Sequence, residues 1–226
     1  MKSQAVGGTV GAAQSPSHPA ALSLRRPVGR SLALAVLFAL LTGAVELSWW
    51  NSLDHTVNDW AAAHRVMPLF DTGKVIFDGA TPEVALPITL ALGLLVAWRR
   101  HQWQTLAEAA IRVGLVVASV LVLKPLIAAP GPTRNSLGPH GGAFPSGHTT
   151  STVVCMALIL SWAGWPRAKG GRLAIHVVVV AVVGLTVIYL SYHYLSDVVG
   201  GLLLGTLIAT LTLPCLRRPR VGPVAR

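Results

Sequence analysis

Two short motifs carry histidines whose neighbours suit work on a phosphate: Pro145-Ser146-Gly147-His148 and His193-Tyr194-Leu195-Ser196-Asp197. His193 and Asp197 are four residues apart, so on a helix they share one face. A carboxylate there accepts the Nδ1 proton of the ring, which fixes the tautomer and leaves Nε2 to attack. Ser-Gly-His before an apolar run reads as a helix N-terminus, where outward-pointing amides favour an anion. Ser146 can donate its hydroxyl, Gly147 lets the backbone come close, and His148 can give a proton to a leaving oxygen. Lys124, at the end of an earlier apolar run, adds a point charge. Each piece also has a plain structural reading: a helix cap, a loop histidine, a snorkelling lysine. Together they point to phosphoryl transfer through a histidine nucleophile.

These groups must be positioned by membrane helices. Charged residues make up only 12% of the 226 residues, about half the roughly 25% of a soluble domain. Six apolar spans are expected, near the ~20 residues a crossing helix needs: about Ser31–Trp49, Thr81–Trp98, Leu106–Ile127, Thr149–Trp165, Leu173–Leu190 and Leu195–Leu216. Only helices satisfy their own backbone in lipid at this length, so the fold class is an all-α, polytopic six-helix bundle. Residues 1–30, rich in Gly, Ala, Ser, Pro and Arg, read as a disordered cytoplasmic tail, 31–216 as the membrane domain, and 217–226 as a basic cytoplasmic tail.

The net charge of +10 follows from topology rather than from nucleic-acid binding, which is not expected. Most of the 18 lysines and arginines fall on one side: Lys2, Arg25, Arg26, Arg30, Arg99, Arg100, Arg167, Lys169, Arg172, Arg217, Arg218, Arg220 and Arg226. The positive-inside rule makes that side, and both termini, cytoplasmic. Both histidine motifs then lie at the outer face, in what reads as a bacterial cytoplasmic membrane.

Residues 51–80 are too polar to span. They read as one or two short amphipathic helices on the outer leaflet, or as a loop over the bundle. Gly201-Leu202-Leu203-Leu204-Gly205 is expected to mark close helix packing. Glu108 and Arg112 are spaced to pair with each other. Cys155 and Cys215 show no metal or disulfide spacing, and no metal or cofactor is expected.

The motifs resemble those of the type 2 phosphatidic acid phosphatase and vanadium haloperoxidase superfamily, over roughly residues 50–216. That family carries a lysine, six residues and Arg-Pro; then Pro-Ser-Gly-His; then Ser-Arg, five residues, His, three residues and Asp. Lys124, Pro132, the intact Pro145 to His148, His193 and Asp197 match. Both motif arginines are missing, for Gly131 and Val187 stand in their places, and Thr186 replaces the serine. Arg134 and His140 lie near enough in sequence to substitute.

The resemblance implies an integral membrane lipid phosphatase without metal, acting on phosphatidate, phosphatidylglycerol phosphate or a polyprenyl diphosphate. His193 would be the nucleophile, forming a phosphohistidine, Asp197 its orienting carboxylate and His148 the acid. Lys124, Ser146, Gly147 and Arg134 would hold the phosphate. Ser146-Gly147-His148-Thr149 and His193-Tyr194-Leu195-Ser196-Asp197-Val198 are also similar to the sphingomyelin and inositol-phosphorylceramide synthases, which implies a head-group transferase as an alternative. A non-catalytic lipid-binding member is the third reading, favoured by the missing arginines.

Overall fold

The computed structural model describes residues 20–132, 141–164, 166 and 168–211. They form eight helices: α1 (Ala20–Glu46), α2 (Asn51–Ala63), α3 (Met67–Gly79), α4 (Pro82–Arg100), α5 (Trp103–Ile127), α6 (Gly147–Ala163), α7 (Lys169–Tyr189) and α8 (Leu195–Thr210). Among the described residues there is no strand.

Four helices are long and apolar enough to cross a membrane by themselves: α1 from Val28 onward, α4, α5 and α7. Their outward faces carry exposed Leu37, Leu40, Leu121, Val122 and Leu185, as lipid contact requires. This is a multi-pass membrane protein. The other two expected spans are shorter, 17 residues for α6 and 16 for α8. α1 starts at Ala20, ahead of the expected Ser31. The segment read as the basic C-terminal tail, 217–226, lies outside the described residues.

α6 sits at the centre, packed against α4, α5, α7 and α8, while α8 also meets α1, α2 and α5. A helix buried all round needs no polar face, and α6 buries residues on every side, from Thr149 to Trp162. Its hydroxyls are satisfied locally: Thr150 Oγ1 donates to Ser146 O at 2.8 Å and Thr152 Oγ1 to His148 O at 2.7 Å. The apolar core is shared by Leu86, Val113, Val116, Val154, Leu158, Leu204 and Ile208.

The expected close packing at the paired glycines is present. A Cβ on Gly201 would lie 2.8 Å from Ser146 O, and one on Gly205 2.8 Å from Val153 Cβ. α8 therefore approaches α6 at backbone distance beside the Ser146 motif. At the other end of the bundle, arginines cap helix C-termini, where carbonyls lack partners. Arg100 donates to Trp162 O at 3.0 Å, and Arg112 to Leu211 O at 3.2 Å. Arg112 also pairs with Glu108 at 2.7 Å, as its spacing foretells.

Residues 51–79 form two helices, α2 and α3, rather than a loop. This hairpin docks on the turn between α7 and α8. Arg65 donates to Tyr189 O at 3.3 Å and bonds Ser191 Oγ, and the Val66 amide donates to Tyr189 Oη at 2.7 Å.

Candidate active site

Four chain segments converge at the end of the bundle covered by α2 and α3: the last turn of α5, the first turn of α6, the α7–α8 turn and the start of α8. The turn is built tightly. Ser191 takes a left-handed φ of 58°, and the amides of Tyr192 and His193 both donate to Val187 O, at 3.0 and 3.2 Å. His193 is thereby placed just ahead of α8 and is buried.

Asp197 is the third residue of α8. Its Oδ2 lies 3.2 Å from His193 Nδ1 and accepts the Tyr194 amide at 2.9 Å. A carboxylate only accepts, so Nδ1 carries the proton and a neutral ring leaves the Nε2 lone pair available. The same carboxylate closes the N-terminus of α8, where an anion is favoured.

Asp54, from α2, serves the next residue. Its Oδ1 accepts the Ser196 amide at 2.9 Å and its Oδ2 accepts the Ser196 hydroxyl at 2.6 Å. Burial raises the Asp54 carboxyl above the ordinary 3.8, and the charge of Asp197 adds to the rise, while the Ser196 bonds oppose it. Tyr194 is also raised, by burial first and then by the charges of Asp54, Asp197 and Asp59.

The two motifs are joined through the backbone. The Ser146 amide donates to Asp197 O at 2.9 Å. Ser146 caps α6, its Oγ accepting from the Thr149 amide at 3.4 Å. Gly147 and His148 then supply the first amides of α6, which have no partner within the helix. The His148 ring lies edge-on to His193, centroids 6.2 Å apart. Its Nε2 is buried and has no hydrogen-bond partner among the described residues. Lys124, buried in the last turn of α5, lies in electrostatic range of Asp197, Glu83 and His148.

His193, Asp197, Ser146, Gly147, His148 and Lys124 thus share one end of the bundle. Arg134 and His140 lie outside the described residues. Val187, at the position of the second motif arginine, is 0% exposed and belongs to a buried apolar cluster with Ile188 and Val198, against which Val57 and Phe77 pack. An apolar cluster fills that place. Gly131 and Pro132 line a cavity of about 770 Å³ together with Asp54, Tyr194, Ser196 and Asp197. Neither histidine of the pair borders it. Among the described residues no group of three His, Cys, Asp or Glu side chains is placed to hold a metal ion.

Asp54 and Phe77 are parts of this site that sequence reasoning missed. Both come from the α2–α3 hairpin, far from either motif, and no local spacing marks them.

A family model described as the PAP2 superfamily matches residues 105–220, just over half of the chain, spanning Lys124 and both histidine motifs. Among solved structures, the crystal structure of the transmembrane PAP2 type phosphatidylglycerolphosphate phosphatase from Bacillus subtilis is similar in fold. It is 24% identical, with a TM-score of 0.69 over 79% of this chain and 91% of that one. No curated protein sequence matches significantly.

Proposed function

The chain belongs to the PAP2 superfamily, and on that premise we propose that it is a membrane phosphatase that hydrolyses a lipid phosphate or diphosphate through a phosphohistidine. The observation that carries this reading is the buried His193–Asp197 pair at 3.2 Å, hydrogen-bonded through the backbone to the helix N-terminus that bears His148.

In the first step, the His193 Nε2 lone pair attacks phosphorus and the P–O bond to the lipid breaks. His148 gives its proton to the leaving alkoxide. In the second, water attacks phosphorus as the P–Nε2 bond breaks and gives a proton to His148, releasing phosphate and restoring both rings. Asp197 holds the His193 tautomer and offsets the imidazolium charge that develops. Lys124, the Ser146 hydroxyl and the first amides of α6 hold the phosphoryl oxygens. Arg134 is the remaining candidate for this role. The substrate class follows from the setting: a phosphate head group at the end of the bundle, with its acyl or prenyl chain in the bilayer. Phosphatidate, phosphatidylglycerol phosphate and polyprenyl diphosphates fit that description. By the charge distribution, the site faces outward and the termini lie in the cytoplasm.

The test is phosphate release by the purified protein in detergent with EDTA, against a panel of these lipids, beside His193→Ala. Release that vanishes in the variant is the expected result. No release by folded wild-type protein would overturn it. Transfer of the head group to a labelled acceptor lipid would then assign a transferase, and lipid binding without either reaction a non-catalytic member.

A further inference from the structure

His193 is held by a carboxylate, but His148 is held differently. Its Nε2 has no hydrogen-bond partner among the described residues. Instead the ring lies flat on Phe77 of α3, centroids 4.1 Å apart and planes 26° apart. Phe77 stacks in turn on Tyr192, at 4.3 Å and 21°. Tyr192 comes from the same turn that places His193, and is 40% exposed. Three rings thus form one column, with His148 innermost and Tyr192 outermost. Parallel aromatic contacts of this kind add to the stabilisation that burial alone gives. A ring so clamped keeps its plane and is covered on one face.

We infer that Phe77 is a positioning residue for the proton-donating histidine: the stack of Phe77 on His148 holds Nε2 at the angle needed to protonate the departing oxygen and keeps water off the ring. Phe77 touches no reacting atom, so it acts only through His148. It rests on the phosphatase reading given above and extends it to a residue supplied by the surface hairpin. A general acid matters most when the leaving group is a poor one. The alkoxide of a diacylglycerol needs the proton, whereas nitrophenolate leaves without it. Loss of Phe77 therefore discriminates between substrates, which loss of folding does not.

The experiment compares wild type, Phe77→Ala, Phe77→Tyr, His148→Ala and the Phe77→Ala/His148→Ala double variant on short-chain phosphatidate and on p-nitrophenyl phosphate. Phe77→Ala is expected to lower kcat/KM, which covers only the first step and leaves out the part His148 plays in the second, about tenfold or more on phosphatidate and less than about twofold on p-nitrophenyl phosphate, since misplacing a catalytic group costs up to about 10². Phe77→Tyr, which keeps the ring, recovers the phosphatidate rate. In the His148→Ala background, Phe77→Ala has no further effect. Equal losses on both substrates, or a loss that persists without His148, would overturn the inference. A second readout needs no turnover: exchange of the His148 C2 proton with deuterium, followed by mass spectrometry in detergent. Faster exchange in Phe77→Ala supports the shielding, and unchanged exchange overturns it. If wild type hydrolyses neither substrate while exchange still speeds up, the phosphatase reading falls and the clamp on the ring stands.

Discussion

At the scale of single residues, the site rests on how two carboxylates divide their work. Asp197 faces the His193 ring, and Asp54 takes only the Ser196 amide and hydroxyl. Asp197→Asn keeps the shape but offers an amide where the ring needs an acceptor, which favours the wrong tautomer. Its expected effect on lipid phosphate hydrolysis is a fall in kcat on the order of 10³ with the melting temperature little changed; a loss below tenfold would count against the orienting role. Asp54→Asn has a different signature. Folded Asp54 binds its proton more tightly than the unfolded chain does, because burial raises it above 3.8. Its stabilising contribution is therefore complete below that value and is lost as pH climbs through the raised one. Thermal melts in detergent at increasing pH, starting below 3.8, are expected to show this decline in wild type and a flatter profile in Asp54→Asn. A slope unchanged by the substitution would remove Asp54 as its source. His193 and Asp197 stood out in the sequence by their four-residue spacing, but they do not share a helical face: His193 and Tyr194 lie ahead of α8, and Asp197, in its first turn, reaches back to both. Asp54 did not stand out, since its partner stands 142 residues away.

At the scale of elements, what matters is how close α8 comes to α6. Gly201 permits the Ser146 amide to reach Asp197 O, because any Cβ there would press on Ser146 O and Thr149. Gly201→Ala is expected to destabilise the protein by about 1–3 kcal/mol, as overpacking does. It should also lower activity, by parting the two motifs. Melting temperature and phosphate release, measured together, check this; an active variant of unchanged stability would show that the contact is slack. The paired glycines announced this packing in the sequence. Helix limits were less legible. α1 begins before its apolar run, and α8 ends at Thr210, because helix length follows propensity and packing as well as hydropathy. The hairpin from Asn51 to Gly79 could be read only as helix or loop, for its amphipathic faces fit either until the docking surface on α7 is known.

At the scale of the whole molecule, the motif matches and the helical bundle agree, and membership of the PAP2 superfamily joins them. The missing arginines are the exception. Sequence alone shows two substitutions; the structure adds that Val187 belongs to a closed apolar cluster, with Phe77 packed against it. The position of one motif arginine thus lies in the apolar cluster against which Phe77 packs. Whether the two motif arginines are needed for turnover is decided by the same phosphate-release measurement on wild type, which lacks both: activity would show that they are dispensable.

The inequality of helix lengths has a consequence for how the protein sits among lipids of different chain length. At 1.5 Å per residue, α8 spans about 24 Å and α5 about 37 Å, against a hydrocarbon thickness of about 30 Å. Mismatch with a thicker or thinner bilayer therefore falls on α1, α4, α5 and α7, which can tilt or draw lipid to themselves. α6 and α8 are wrapped by those helices and answer to protein neighbours instead. The depth of the histidines is set within the bundle, so on the proposed phosphatase reading the scissile bond of a bound lipid is met at a level that the surrounding acyl chains do not dictate.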